Sequence, residues 1–356
     1  MEKFSEKITW FMPLPNGEFL KSDKSSKILQ PLELFSSGRD ALFRILKIEN
    51  FSDSQTLWIP EYFCPSVVRT LKKFINIKFY LDYPSEKEPR FQSLTPNEND
   101  AILIVNFFGL RRAETWQGWV SSQNKKLVII EDHSHAPFSQ WALNSQADYV
   151  FASLRKSLPL VDGGYLRTKN LSPKKIFQSG GDTADFAIDM LSASALQRTT
   201  GYDEVVNKLY YSGENKLDGK HTISRISKYS FEILRQLDLV KIAKKTSDNL
   251  KIFCENFADS NACIELNRKF LNTDDPASAF NPILKFSSMQ LRDKCHNALF
   301  EIGAMPSIYW GGLGNEVSEQ AHKECDTLLA IPLDFRHSTD DAKRIAQFIS
   351  TCVNCE

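Results

Sequence analysis

The chain has 356 residues, 42% of them hydrophobic and 25% charged, which is ordinary for a globular protein with one large and one smaller domain. Lysine plus arginine and aspartate plus glutamate number 44 each, so the zero net charge gives no support for binding to nucleic acid or to a membrane surface. The first residues lack the apolar core of a signal peptide, and no apolar stretch approaches the about 20 residues of a membrane span. We therefore expect a cytoplasmic protein without nucleic-acid or membrane partners.

The cysteine pattern is typical of reduced intracellular thiols. The chain has seven cysteines, an odd number scattered along the sequence, and no disulfide framework is apparent. Cys352 and Cys355 have the spacing of a zinc or redox pair, but no second pair with metal-ligand spacing accompanies them. We interpret this spacing as chance and expect no metal.

The part of the chain from about residue 35 to 170 alternates short apolar runs with helical stretches. Helices are predicted in SSGRDALFRILKI and CPSVVRTLKKF, and strands in TLWIPEYF, NIKFYLDYP, DAILIVNFFG, KLVIIEDHSHA, ADYVFAS and GGYLRT. Continuous apolar strands separated by helices indicate a mostly parallel sheet that is covered on both faces. The sequence therefore predicts a three-layer α/β/α fold.

The remainder is predicted to be helical and then mixed. Residues 171 to about 250 are largely helical and polar, and the run SRISKYSFEILRQLDLVKIAKKTSDNLKIFCENF predicts one or two long helices. Beyond it, NPILKF predicts a strand, LRDKCHNALFEIG a helix, and AIPLDFRHSTDDAKRIAQFIST a strand, a turn and a final helix. We predict a large domain over residues 1–240 and a small α+β domain over 241–356.

Two candidate functional residues follow strands of the predicted sheet, where ligands of such sheets bind. Asp132 follows the apolar run of its strand, and it can either cap the next element or pair with the protonated nitrogen of a pyridine ring. Lys156 would ordinarily be a solvated surface residue, but it lies between a strand and an apolar loop that ends in Gly163 and Gly164. Partial burial lowers the pKa of a lysine, so that its neutral amine can form an imine.

A third candidate opens the first helix. Ser37, Gly38 and Arg39 provide a hydroxyl, free amide groups and a charged donor at a helix N-terminus, and this combination can bind phosphate. The same residues are also consistent with a simple helix cap.

The order of these features resembles the DegT/DnrJ/StrS family of aminotransferases that depend on pyridoxal 5'-phosphate (PLP). The family patterns S-G-T-x-A-L, P-x-Y-T, V-H-x-Y-G, E-D-x-x-Q-A and K-N-L-x-x-G-E-G-G are similar to SGRDAL (37–42), PEYF (60–63), VNFFG (105–109), EDHSHA (131–136) and KSLPLVDGG (156–164). The resemblance covers residues 30–170 and, more loosely, the C-terminal strand and helix. It implies fold type I, a homodimer with its active sites at the dimer interface, and PLP as cofactor.

The resemblance also implies roles for residues of the site. Lys156 is expected to bind the cofactor covalently, Asp132 to pair with the pyridine nitrogen, and Ser37, Gly38 and Arg39 to bind the phosphate. His135 stands where the family has a glutamine near the phenolic oxygen of the ring, and it can still donate a hydrogen bond.

This sequence departs from the family pattern in three places. Phe151 stands where the family has a phosphate-binding serine, and Ser153 is the candidate to replace that serine. Cys64 aligns with the aromatic residue that stacks on the ring, so Tyr62 or Phe63 would cover that face. No clear N-x-R segment follows the lysine, where the family supplies an asparagine from the partner subunit.

The function implied is transamination. An amino group, with glutamate the expected donor, would pass to a keto group of a small-molecule acceptor, expected to be a nucleotide-linked keto-sugar of surface polysaccharide biosynthesis. Two alternatives stay open: another PLP-dependent reaction on the same scaffold, such as dehydration or acyl condensation, and a non-catalytic relative acting as a binding or regulatory module. Trp310 and His322 are candidates for the substrate mouth, with ordinary packing as their alternative.

Overall fold

The computed structural model describes residues 8–9, 17–20, 32–169, 184–200, 204–219, 222–270 and 275–354. Its strands are β1 (Ile8–Thr9), β2 (Glu33–Phe35), β3 (Thr56–Pro60), β4 (Asn76–Tyr80), β5 (Ala101–Val105), β6 (Val128–Asp132), β7 (Tyr149–Ser153), β8 (Gly164–Thr168), β9 (Cys263–Glu265), β10 (Ile283–Phe286), β11 (Ala304–Met305) and β12 (Leu328–Ala330).

The helices are α1 (Gly38–Ile48), α2 (Pro65–Leu71), α3 (Ala113–Ser121), α4 (Gln140–Asn144), α5 (Asp185–Thr200), α6 (Glu204–Gly219), α7 (Lys228–Gln236), α8 (Leu239–Asn256), α9 (Asn267–Phe270), α10 (Met289–Glu301), α11 (Glu319–Thr327) and α12 (Thr339–Asn354). In the ranges given above, no helix is long and apolar enough to cross a membrane.

The main sheet has seven strands in the order β2-β8-β7-β6-β5-β3-β4. Strands β3 to β7 are parallel to one another, whereas β8 is antiparallel to both β7 and β2. The sequence predicted a mostly parallel sheet with both faces covered, and the structure confirms this prediction.

Alternating residues of the strands explain why helices cover both faces. In β5 all the residues are buried, and Leu103 packs with Leu42 and Ile45 of α1. Its neighbour Ile104 packs on the opposite face with Trp116 of α3. Because successive side chains of a strand point to opposite faces, a continuous apolar run requires a helical layer on each side.

A second core lies in the C-terminal part of the chain. Strands β9, β10 and β12 form an antiparallel three-stranded sheet in the order β12-β10-β9. Its apolar cluster draws residues from α8, α10 and α12, including Phe253, Leu299 and Ile345. This is the predicted α+β arrangement, while the domain limits near residue 240 stay a prediction.

The predicted long helical run consists of two helices, α7 and α8. Asp238 separates them and caps α8, because its side chain accepts a hydrogen bond from the amide of Lys241. Upstream, α5 and α6 pack against each other as a helical hairpin with an apolar cluster of their own. The helical prediction for residues 171–183, and Cys355 of the cysteine pair, lie outside the described residues.

The register of the sheet brings distant residues to one edge. Val105 pairs with Asp132, and Asp132 pairs with Phe151, so the carboxyl ends of β5, β6 and β7 lie side by side. The antiparallel strand β8 begins at this edge, where Gly164 pairs with Ser153 and with Phe35 at the end of β2. The start of α1, which follows β2 directly, is therefore placed beside the ends of β6 and β7.

Candidate active site

A cavity of about 330 Å³ lies at this edge of the sheet. This volume is within the range of about 300–1,000 Å³ that is typical of small-molecule sites. Asp132 and Lys156 both line the cavity, as do Ser37, Gly38, Arg39, Phe63 and Ser153. Two residues separated in sequence by a whole strand thus face the same space.

Lys156 ends a short 3-10 turn that follows β7 directly. Its Nζ lies 3.3 Å from Nε2 of His135 and faces the rings of Trp310 and Tyr309, whose centroids are 5.7 and 6.0 Å away. Burial lowers the pKa of the Lys156 amine, and the nearby Asp132 carboxylate partly opposes this effect. The environment therefore favours a neutral, nucleophilic amine.

Asp132, the last residue of β6, is held in a fixed orientation. Its Oδ1 accepts hydrogen bonds from the amide and the hydroxyl of Ser134, at 2.8 and 2.5 Å. The hydroxyl oxygen of Ser134 in turn accepts a hydrogen bond from the amide of Ser153, at 2.9 Å. This chain of bonds ties the end of β6 to the end of β7 and holds the carboxylate at the cavity.

His135 is buried beside Lys156. Its Nδ1 accepts a hydrogen bond from the amide of Phe108 at 3.2 Å, and the two rings stack with centroids 4.7 Å apart. Burial and the neighbouring charge of Lys156 hold the pKa of His135 well below its usual value. A neutral ring that accepts at Nδ1 carries its proton on Nε2, so His135 presents a donor toward Lys156.

The start of α1 is ordered by its own side chains. The Ser37 hydroxyl accepts from the amide of Asp40 at 3.1 Å and donates to the Asp40 carboxylate at 2.9 Å, so Ser37 is the N-cap of the helix. Gly38 begins the helix and lines the cavity. The first turn of α1 thus points at the space where a phosphate group was expected.

Both arginines of the cavity are paired with carboxylates of α6. Arg39 donates to Asp218 and to the carbonyl of Leu217 at 2.8 Å, and to the hydroxyl of Ser66 at 2.9 Å. Arg155 donates to both carboxylate oxygens of Glu214, at 2.6 and 3.3 Å. The sequence predicts Arg39 as a charged donor for phosphate. In the structure, its guanidinium already donates to other groups of the protein.

The structure distinguishes Tyr62 from Phe63, the two candidates for covering the ring of the cofactor. Phe63 lines the cavity. Tyr62 is completely buried behind it, where its hydroxyl donates to the carbonyl of Tyr309, and it is not among the lining residues. Trp310 packs against Tyr62, Phe63 and His135 and lines the cavity, whereas His322 lies outside the lining.

Phe151, which stands where the family has the phosphate-binding serine, and Ser153, the candidate to replace that serine, both line the cavity. The phosphate-binding role of Ser153 stays a prediction. In the ranges that the structure covers, no group of three or more histidine, cysteine, aspartate or glutamate side chains could hold a metal ion.

Sequence reasoning named Trp310 in the C-terminal part of the chain, but it missed the contribution of α6 and the other C-terminal residues. Tyr210, Glu214 and Asp218 line the cavity from α6, and Tyr309 and Asp334 line it from beyond β10. The spacing of four between the α6 residues places them on one helical face, and this is a signal that the sequence contains. Nothing in the sequence alone indicates that this face meets the cavity.

Comparison with known proteins shows which solved structures share this fold. No protein-family profile and no curated protein matches the sequence. Among solved structures, the proposed sugar aminotransferase Spr1654 from Streptococcus pneumoniae is 14% identical over 96% of this chain and 97% of that chain, with a TM-score of 0.67. PseC from Helicobacter pylori, an aminotransferase of pseudaminic acid biosynthesis, is 11% identical over 99% of this chain and 100% of that chain, with a TM-score of 0.66.

A third similar structure is DesI in the presence of its TDP-sugar product, 13% identical over 100% of this chain and 95% of that chain, with a TM-score of 0.66. These similarities extend over almost the whole length of each chain. The chain therefore has the fold of these aminotransferases, the three-layer α/β arrangement of fold type I that its sequence predicts.

Proposed function

We propose that this chain is a divergent member of the DegT/DnrJ/StrS family and a PLP-dependent aminotransferase. The single observation that carries the proposal is that the Lys156 amine and the Asp132 carboxylate face one cavity, at the carboxyl ends of adjacent parallel strands. The fold, which is shared with aminotransferases over nearly the whole chain, supports the same conclusion.

The residues around the cavity fit PLP. Lys156 offers a partly buried amine with a lowered pKa, Asp132 offers an oriented carboxylate, and Ser37 and Gly38 open a helix at the same space. The aromatic side chains of Phe63 and Trp310 provide flat apolar surface beside the amine. When bound, PLP supplies a conjugated ring that draws electrons from the carbon being deprotonated.

The side chains of this chain have distinct tasks in the proposed reaction. The amine of Lys156, whose pKa burial lowers, would hold the cofactor covalently and would move a proton at the reacting carbon as general base and then general acid. The Asp132 carboxylate, whose orientation Ser134 holds, would pair with the pyridine nitrogen of the cofactor. The Nε2–H of His135 is directed at the space around the Lys156 amine, where it can donate to an oxygen of the cofactor.

The proposed amino donor is glutamate, and the proposed acceptor is a keto group on a nucleotide-linked sugar of surface polysaccharide biosynthesis. Support comes from the similar structures, since DesI was solved with a TDP-sugar product and PseC acts in pseudaminic acid biosynthesis. We also propose a homodimer in the cytoplasm, in agreement with the resemblance of residues 30–170 to this family.

The first experiment tests the covalent bond. The purified protein is incubated with PLP, the imine is reduced with borohydride, and the modified peptide is located by mass spectrometry. We expect the adduct on Lys156, and we expect a Lys156→Ala variant to lose both the adduct and the visible absorbance of the bound cofactor. An adduct on another lysine, or none, would remove the proposal.

The second experiment distinguishes transamination from other PLP-dependent reactions. Addition of glutamate to the loaded protein, without any acceptor, should release one 2-oxoglutarate per loaded site and stop, because the amino group stays on the protein-bound cofactor. Turnover without such a half-reaction would favour dehydration or condensation. Binding of PLP without any chemistry would favour a regulatory module.

A further inference from the structure

Two ion pairs connect α6 with the residues that flank the cavity. Arg39 pairs with Asp218 at 2.8 Å, and Arg155 pairs with Glu214 at 2.6 Å. We propose that Arg39 and Arg155 form a subsite for an oxyanion, the phosphate or carboxylate group of a ligand, which Asp218 and Glu214 occupy while the ligand is absent. The proposal rests on the proposed function only in identifying the ligand as a cofactor or an amino donor.

The geometry around Arg155 is that of a bound carboxylate ligand. The guanidinium donates from both terminal nitrogens to the two oxygens of Glu214, at 2.6 and 3.3 Å, and the hydroxyl of Tyr210 donates to the same carboxylate at 2.7 Å. This forked arrangement is the one by which arginine recognises carboxylates and phosphates. A ligand oxyanion in place of the Glu214 carboxylate would meet the same donors.

One nitrogen donor of Arg39 has no hydrogen-bond acceptor in the structure. Its side chain is only 8% exposed, it lines the cavity, and its Nε is buried without a hydrogen-bond acceptor in the structure. A buried polar group without a partner costs free energy, so an additional oxygen near this nitrogen would be stabilising. The guanidinium is therefore incompletely satisfied by Asp218, Leu217 and Ser66.

The charges of the cavity favour the exchange of an α6 carboxylate for an anionic ligand. Among the described residues that line it, the cations are Arg39, Arg155 and Lys156, and both arginines already have carboxylate partners. A buried guanidinium needs a counter-ion, and removal of that counter-ion is strongly destabilising. An anionic ligand that displaces a carboxylate of α6 leaves each arginine paired, and the displaced carboxylate regains water.

The construction of the α5–α6 hairpin allows such a displacement. Its apolar cluster consists of residues of the two helices and of Ala184 just before α5, joined by Val161 and Tyr229 from elsewhere in the described chain. Asp189 of α5 ties the helices together, since it accepts from Lys216 and from Ser212 of α6. The hairpin can thus keep its own core when the two ion pairs to the cavity open.

The test uses the 356-residue chain free of cofactor. Inorganic phosphate is the probe, and its binding is measured by calorimetry. Glu214→Gln keeps the shape of the side chain and removes the competing charge, so we expect phosphate to bind about tenfold more tightly. Arg155→Gln should abolish this binding. Glu204→Gln is the matched control, because Glu204 lies on the same helix in an exposed pair with Lys208.

Asp218→Asn gives a second, independent variant, which releases Arg39 and should also strengthen phosphate binding. Unchanged phosphate affinity in both Glu214→Gln and Asp218→Asn, with the folded far-ultraviolet spectrum retained, would overturn the subsite. So would phosphate binding that does not depend on Arg155.

Further binding experiments identify which ligand carries the oxyanion. If Glu214→Gln strengthens binding of PLP and not of pyridoxal, which lacks the phosphate, the subsite takes the phosphate of the cofactor. If it strengthens binding of succinate to the loaded protein, the subsite takes the carboxylate of the amino donor. Phosphate binding that responds to Glu214 while Lys156 forms no covalent adduct would support the subsite and reject the proposed enzyme.

Discussion

Nε2 of His135 lies 3.3 Å from Nζ of Lys156, and the backbone amide of Phe108 decides which of the two donates. Because that amide donates to Nδ1, the neutral imidazole carries its proton on Nε2, and the amine must supply the lone pair. Phe108 holds this position in the left-handed region at φ 54°, followed by Gly109 at φ 74°. Burial, which lowers the pKa of both groups, acts in the same direction as this hydrogen bond.

The reactivity of Lys156 should extend to lower pH than that of an ordinary lysine. Burial lowers the pKa of its amine, so the neutral form, which alone attacks an aldehyde, persists as the pH falls. To check this, the cofactor-free protein is labelled with an aldehyde at a series of pH values. The imine on Lys156 is then trapped by reduction and located by peptide mapping. A midpoint equal to that of N-acetyl-lysine would contradict it.

Asp132→Asn should shift the pH midpoint of Lys156 labelling further down. The Asp132 carboxylate raises the pKa of Lys156 because it stabilises the ammonium form, so its removal lowers the pKa. The same labelling experiment measures the shift, and Asn keeps an oxygen that can accept from Ser134. An upward shift would mean that the two side chains do not interact as the structure indicates.

His135 should tolerate glutamine better than leucine. The amide oxygen of Gln can accept from the Phe108 amide while its NH₂ group donates toward Lys156, whereas Leu leaves the Phe108 amide without a partner. We expect His135→Leu to lower the free energy of unfolding by about 1–3 kcal/mol and His135→Gln by less. Urea denaturation checks stability, and PLP titration checks affinity. Equal losses of unfolding free energy in both variants would argue that the hydrogen bonds of His135 are not the cause of the destabilisation.

His337 should make the protein sensitive to acid. Burial lowers its pKa from 6.5 to about 4, so the unfolded chain takes up a proton below pH 6.5 and the folded chain does not. The contribution of His337 to stability is therefore complete above pH 6.5 and falls as the pH drops toward 4, by about 2 kcal/mol between pH 7 and pH 5.

His337→Asn is the matched variant, because its side-chain oxygen can accept the hydrogen bond that Nδ1 accepts from the amide of Asp334 at 3.1 Å. The free energy of unfolding of this variant, measured in urea at both pH values, should fall by less than that of the parent protein. An identical pH dependence in the two proteins would reject the assignment to His337.

Gly164 should not accept a side chain. A Cβ at this position would lie 2.3 Å from the carbonyl carbon of Ser37 and 2.6 Å from the amide of Gly38, both of which are backbone atoms at the cavity. We expect Gly164→Ala to lower the free energy of unfolding by about 1–3 kcal/mol or more and to weaken PLP binding. Gly118→Ala, in the open middle of α3, is the control and should stabilise by about 0.5–1 kcal/mol. Equal effects of the two substitutions would show that close packing at Gly164 is unimportant.

The sequence predicted the alternation of strands and helices because this information is local. The apolar run of β5 requires cover on both faces, and Ser37 caps α1 through a bond to a residue three positions away. The same local logic placed Asp132 and Lys156 at strand ends. Parallel strands in register then bring both residues to one edge of the sheet. Their roles as the central pair of the candidate site came from the resemblance to the DegT/DnrJ/StrS family.

The tertiary structure alone decided the rest. The contact of Arg39 with Asp218 spans 179 residues, and no local pattern specifies a contact of that separation. Tyr62 and Phe63 are neighbours of similar chemistry, yet one packs behind the wall and the other lines the cavity. Which side chain faces a space depends on how separate elements pack, and that packing follows from the simultaneous burial of many apolar surfaces rather than from the identity of any single residue.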